Sequence, residues 1–269
     1  MIGCLVLVAA ASGKISVWEK MDAGSTVSEK VPLHQFDSNG IFTCIPFTTQ
    51  EELEHAPRLQ LHKSVASFVE KYNKKNGLFL DKAKAKTESH FVLMDSVLRK
   101  NGVPAELKYL AFIESGMNKN PVSRTGAIGP WSLMPKAAKQ YGLKTGRNDE
   151  RLNYSKSTAA AAALLKDFYA AYGDWLLAVA AYNCGPGWME KAIKRSGSHD
   201  YWQLQNFLPK ETRSHVQKFI AVHYHFEGHG GPLTMTKAEM EKHIEAVAAY
   251  TAKREQQHLT DSVVITATK

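Results

Sequence analysis

From Pro57 onward the apolar residues of this chain recur at helical spacing. Leu61, Val65, Phe68, Val69 and Tyr72 make one amphipathic stripe; Phe91, Met94, Val97 and Leu98 make another, which Asn101-Gly102 closes as a C-cap. Pro104 restarts the chain at the first position of a third helix, with Leu107, Leu110 and Ala111 on one face. Ser157 or Thr158 is expected to cap an alanine-rich helix running to about Tyr172, where Gly173 stops it. Asp174 caps the next helix, which ends at Asn183-Cys184-Gly185-Pro186-Gly187. Further helices fit 209–227 and 236–257, separated by the hinge-like Gly228-His229-Gly230-Gly231-Pro232. Residues 14–56 mix Gly, Ser, Pro and Thr with little periodicity and read as a poorly structured leader or wrapping segment. Alternation suited to a strand occurs in Ser262–Thr268, expected to open a following region that the chain does not complete. The fold class is therefore mainly α.

Composition narrows the classes. With 269 residues and 44% hydrophobic content the chain can bury one core of ordinary size. Its 34 Lys and Arg against 26 Asp and Glu give a net charge of +8, which favours a polyanionic partner: nucleic acid, anionic lipid or an acidic cell wall. No basic run alternates with aromatics as a single-strand groove would, and Lys71-Tyr72-Asn73-Lys74-Lys75 reads as a solvated helix face, so nucleic acid is not expected. The apolar run after Met1 is too short to span a bilayer but suits the h-region of an export signal, with Ala9-Ala10-Ala11 as a cleavage site and no basic residues before it. Cys4, Cys44 and Cys184 are odd in number and widely spaced, which rules out a disulfide framework. The histidines of residues 223–231 do not share a helix face, so neither metal nor cofactor is expected.

Candidate chemistry begins with Leu110–Gly116, where Glu114 extends the apolar stripe of Leu107, Leu110 and Ala111. A carboxyl drawn toward a core resists ionising, as a general acid for a glycosidic oxygen requires; the alternative is a structural Glu that satisfies backbone N–H groups of the next loop. That loop, residues 118–143, is rich in Gly, Pro, Asn and Ser yet carries Ile128, Trp131, Leu133 and Met134, a mixture that suits the wall of a cleft.

Residues 113–135 resemble the signature of the lytic transglycosylases of the soluble-lytic-transglycosylase type, in which the Glu of a Glu-Ser pair is the single catalytic acid. Residues 178–193 resemble that family's Ala-Tyr-Asn-x-Gly motif and residues 208–221 its Glu-Thr-x-x-Tyr-Val helix, in matching order and spacing. The similarity covers roughly 85–227 and leans toward the membrane-bound lytic murein transglycosylase D group. It implies a lysozyme-like transglycosylase domain at 85–230, preceded by a signal or leader segment at 1–13 and an N-terminal leader and wrapping helix at 14–84, and followed by a C-terminal helix and the start of a further region at 231–269.

The resemblance also implies roles. Glu114 would be the catalytic residue, and Ser123, Ser132, Met134, Tyr182, Asn183 and Glu211 would line the sugar-binding groove. The partner implied is the peptidoglycan glycan strand, met in the periplasm or cell envelope by a monomer, with peripheral membrane attachment through lipidation or an uncleaved leader. Several positions depart from the family: Ser132 stands where Gln is usual, His215 where Tyr is usual, Pro130 for Leu and Cys184 for Ala. Two alternatives stay open. A muramidase would need a second carboxylate, for which Glu211 and Asp174 are the candidates, and a non-catalytic homologue would only bind glycan.

Overall fold

The computed structural model describes residues 33–36, 42–45, 61–117, 123, 126–228 and 230–267. The expected leader at 1–13 lies outside them. Two short strands, β1 (Leu33–Phe36) and β2 (Phe42–Ile45), pair antiparallel with Leu33 opposite Ile45, inside the stretch that sequence periodicity left without structure. Everything else of regular structure in the described residues is helical.

The first two apolar stripes belong to one helix. α1 runs Lys63–Lys100, 38 residues, or about 57 Å at the rise of an α-helix. The intervening Lys, Ala, Leu and Asp residues contain no proline and favour helix, so the weak stripe between the two apolar patches does not interrupt it. Asn101 closes α1 as expected. Pro104 caps a 3₁₀ turn, Ala105–Leu107, which leads into α2 (Lys108–Ser115). After the loop come α3 (Pro135–Gln140), α4 (Tyr154–Tyr172), α5 (Trp175–Cys184), α6 (Pro186–Ser196), α7 (Tyr201–Leu204), α8 (Lys210–Glu227) and α9 (Lys237–Ala267).

α5 is the centre of the packing. Leu176, Leu177, Ala178, Val179, Ala180 and Ala181 are all buried, so the helix is apolar on every side and sits between α4, α8 and α6. Its small residues let those neighbours approach closely, and its C-terminal end carries the half-buried Tyr182 and the exposed Asn183. α2 lies against α8 and α1, with Leu107, Leu110 and Ala111 fully buried. Polar ties fix its N-terminal end: Lys108 Nζ lies 2.9 Å from Asp95 Oδ1 on α1, and the Tyr109 hydroxyl donates to Glu227 on α8.

Two sequence expectations are corrected. α4 starts at Tyr154 and its cap is Asn153, whose side chain accepts from Lys156 N; Ser157 and Thr158 lie inside the helix. Their hydroxyls bond back to Asn153 O and Tyr154 O, and both are fully buried, so they act as core residues. Ser262–Thr268 does not begin a strand: α9 continues through Ala267, carried on by the long charged and alanine-rich run before it. Elsewhere Gly173, Asp174 and the span of α8 fall where the pattern placed them.

Candidate active site

Glu114 occupies the last turn of α2, and the Glu-Ser-Gly sequence explains how that turn ends. Gly116 takes the left-handed conformation, φ 59°, and its N–H closes the helix on Phe112 O at 2.7 Å. The Ser115 hydroxyl donates to Ala111 O and accepts from Met117 N, both at 3.0 Å, so the turn is tied from within. Glu114 therefore sits on a rigid helix end at the edge of the core. Its side chain is 18% exposed, reachable from solvent yet flanked by buried groups.

The loop that follows forms a tight reversal against this helix end. Ile128 and Leu133 exchange backbone hydrogen bonds at 3.3 and 3.1 Å around the turn Gly129-Pro130-Trp131-Ser132. Trp131 is fully buried and its indole N–H donates to Thr158 Oγ1 at 2.9 Å. Leu133 is buried as well. Two of the four large apolar groups expected to line a cleft are thus anchors into the core, while Met134 is 43% exposed.

Ser132 adopts φ 47°, rare for a residue with a side chain, and its hydroxyl donates to the Glu114 carbonyl at 3.1 Å. Facing it from α5, the Tyr182 hydroxyl donates to Trp131 O at 2.6 Å. Burial, and after it the Glu114 charge, push this phenol well above its ordinary range, so it remains a donor. On α8, His215 brings Nε2 to 3.3 Å from Glu114 Oε1, an ion-pair distance without hydrogen-bond alignment.

The structure thus gathers Glu114, Ser132, Tyr182 and His215 at one place. Ser123 is exposed, and its hydroxyl accepts from Ala127 N at 2.9 Å. Asn183 and Glu211 are both exposed, the latter in the first turn of α8, one turn before His215. Asp174 has no free role: its carboxylate accepts from the N–H groups of Leu176, Leu177 and Tyr201.

A support that sequence reasoning missed lies behind the loop. Arg151 is buried, its guanidinium donating to Gly126 O at 2.9 Å and Leu133 O at 2.7 Å, so it clamps both ends of the reversal. Asp149 neutralises it through two parallel bonds, Nε to Oδ1 at 2.9 Å and Nη2 to Oδ2 at 2.8 Å. Nothing in the Asp149-Glu150-Arg151 run separates it from an ordinary surface charge cluster.

Asp149 gives a pH prediction. The Arg151 guanidinium, helped by the N–H groups of Gly146 and Arg151, holds this carboxyl down at about 2. A carboxyl depressed in the folded state stabilises it above the unfolded value of about 3.9, and that contribution is lost as pH falls from there through the folded value. Thermal unfolding between pH 7 and 2 is therefore expected to show an acid-side loss that Asp149→Asn diminishes, with the variant already less stable at neutral pH. Curves that run parallel over the whole range would refute it.

The structure thus sets a rigid helix-end carboxyl beside a tyrosine hydroxyl, a serine-held loop and an imidazole within a helical domain. Residues 95–205 match the family model of the transglycosylase SLT domain. The membrane-bound lytic murein transglycosylase D of Escherichia coli (strain K12) is 36% identical over 154 residues, 55% of this chain and 34% of that protein. The chain thus spans about a third of the length of that curated relative. In fold it is similar to the 70 kDa soluble lytic transglycosylase of Escherichia coli, at TM-score 0.50 and 21% identity over 63% of this chain and 31% of that one. A complex of the 70 kDa soluble lytic transglycosylase with bulgecin A matches at TM-score 0.50 and 20% identity, covering 63% of this chain and 31% of the other.

Proposed function

We propose that this chain is a peptidoglycan lytic transglycosylase that cleaves the β-1,4 bond between N-acetylmuramic acid and N-acetylglucosamine and leaves a 1,6-anhydro sugar. The observation that carries this reading is the placement of Glu114: it is the one carboxylate among the described residues that combines a rigid helix end, partial burial and a facing imidazole. Glu114 protonates the glycosidic oxygen. As carboxylate it then takes the proton of the muramoyl 6-hydroxyl while that oxygen attacks C1, so one group serves twice and no water is consumed.

Hydrolysis would require a second carboxylate to activate water or form a covalent intermediate. The commitment of Asp174 to backbone N–H groups removes one candidate, and the exposure of Glu211 leaves the other without the buried setting such a role favours. Tyr182 and the Ser132 loop would hold the substrate side of the cleft, with Ser123, Met134, Asn183 and Glu211 as further sugar contacts. The charge of +8 suits an anionic wall polymer. The names of the sequence relatives place them at a membrane and on murein, in keeping with an envelope location for this chain. No helix among the described residues is long and apolar enough to cross a membrane.

The test is mass spectrometry of the soluble products released from purified peptidoglycan. Anhydro-muropeptides are expected. Reducing-end muropeptides would replace the proposal with a muramidase, and retention on sedimented peptidoglycan without any product would replace it with a binding protein.

A further inference from the structure

α1 buries one face and leaves the opposite one bare. Successive residues of a helix turn by about 100°, so Val65, Val69, Leu80, Phe91, Met94 and Leu98 form the buried stripe. Opposite it lies a sector about 140° wide, running from Lys74 and Val92 on one side to Phe79 on the other, in which Lys71, Lys74, Lys75, Lys82 and Lys86 are all exposed. No Asp or Glu falls inside it. Glu70, Asp81 and Glu88 lie along one margin, and Asp81 is engaged by His225 Nε2 at 2.8 Å. None of the five lysines makes an ion pair among the described residues.

Four large apolar side chains stand on the same face. Leu78 is 81% exposed, Phe79 61%, Val92 65% and Leu93 39%. Leu78-Phe79 and Val92-Leu93 make two doublets about 21 Å apart along the axis, with Lys82 and Lys86 between them and Lys71, Lys74 and Lys75 before the first. Phe79 keeps one edge on the core, its ring centroid 6.3 Å from that of Phe112, which fixes its direction. A solvated helix face would need the lysines alone. Apolar groups this exposed, in line and ringed by cations, suit a helix that lies in a lipid interface.

We propose that this face of α1 is a membrane-contact surface that lies flat on a bilayer rich in anionic phospholipid, with Leu78, Phe79, Val92 and Leu93 entering the boundary between headgroups and acyl chains. The lysines neutralise the lipid phosphates, and their long stems let the ammonium groups stay at headgroup level while the apolar residues sink. The inference goes beyond the cleavage chemistry and does not depend on it. The composition of the face selects lipid over an anionic glycan. Within the sector there is no Asn, Gln, Asp, Glu, Arg, Tyr or Trp, so it lacks the amides and carboxylates that would hold sugar hydroxyls. What it offers instead, ammonium groups and aliphatic carbon, is what a phosphate headgroup and an acyl chain each take.

The test is co-sedimentation of the full chain with vesicles. The chain is expected to pellet with an equimolar mixture of phosphatidylcholine and phosphatidylglycerol and to stay in solution with phosphatidylcholine alone. Leu78→Gln keeps the charge and the helix propensity of this exposed position and should lower the partition coefficient about tenfold, as the loss of one partly buried leucine would. Lys74→Gln combined with Lys75→Gln should lower it about 25-fold, roughly fivefold for each cation removed from the surface. Lys166→Gln combined with Lys194→Gln takes the same charge from exposed positions on α4 and α6 and should change it by no more than about twofold, because those charges are screened from the bilayer. All these positions are exposed, so the variants should melt with the parent. Three results would overturn the proposal. One is equal behaviour on the two lipid compositions. Another is binding that Leu78→Gln leaves intact, which would come from diffuse charge or from another part of the chain. The third is a concentration-dependent dimer that Leu78→Gln abolishes while the parent ignores vesicles, which would make the face a contact between two copies. No glycan enters these readouts: a chain that binds vesicles through α1 yet releases no muropeptide keeps this surface and loses the transglycosylase reading, and the reverse result does the opposite.

Discussion

Glu114→Gln is expected to reduce anhydro-muropeptide release by about four orders of magnitude, the upper end of what a positioned general acid contributes. The upper end applies because the same oxygen atoms serve both halves of the reaction: glutamine can neither give a proton to the glycosidic oxygen nor take one from the 6-hydroxyl. The variant should keep its fold. Glutamine matches glutamate in shape, and the contacts that hold this helix end run through the backbone, with Ser132 on the Glu114 carbonyl and Gly116 on Phe112. Sedimentation with peptidoglycan should be retained and the melting temperature should stay within a few degrees. A variant that keeps more than about a hundredth of the parent rate would mean that Glu114 is not the acid. Glu211→Gln is the internal comparison: this exposed group at a helix start should cost no more than about tenfold.

The parts of this site that could be read in advance are those where a local rule and the tertiary structure demand the same residue. Leu107, Leu110 and Ala111 pack inward because their spacing is helical, and Glu114 falls at the edge of that stripe for the same reason. Asp174 caps α5 because its side chain reaches two backbone N–H groups within three residues. What could not be read depends on partners distant in sequence. Thr158 looks like a helix cap by type, yet it bonds back to Tyr154 and receives the Trp131 indole from 27 residues away. Trp131 and Leu133 look like cleft residues because they occur in a loop, but Arg151 folds that loop so that both point into the core. The unbroken course of α1 was hidden for a different reason: a helix lying partly in solvent loses its apolar periodicity there while its backbone continues.

His215 shows the same limit. Its position in the α8 motif is evident from the sequence, whereas its distance to Glu114 is set by the packing of α2 on α8, so only the structure shows that the two side chains meet.

Gly129→Ala should be the most damaging substitution outside the acid itself. A Cβ at this position would lie 2.0 Å from Arg151 O and 2.8 Å from Arg151 C, backbone atoms that cannot swing aside, and the residue holds φ +85°. The left-handed backbone alone costs roughly 1–2 kcal/mol for a residue with a Cβ, and overpacking adds about 1–3 kcal/mol. Together these lower stability by about 3 kcal/mol, or near 10 °C in melting temperature for a domain of this size. Gly126→Ala separates the two contributions, because Gly126 has φ +88° but no heavy atom within 4 Å of the added carbon. It should lose only the conformational part, about 1–2 kcal/mol. A second readout links the clash to chemistry. Relief by pushing Arg151 away would release Leu133 O and Gly126 O, loosening the turn that carries Ser132 to the Glu114 carbonyl and Trp131 O to Tyr182. Measured well below its melting temperature, Gly129→Ala should therefore lose activity beyond what its folded fraction explains, whereas Gly126→Ala should not. Equal losses of stability and activity in the two variants would show that the loop tolerates displacement and that Arg151 does not hold the cleft wall in register.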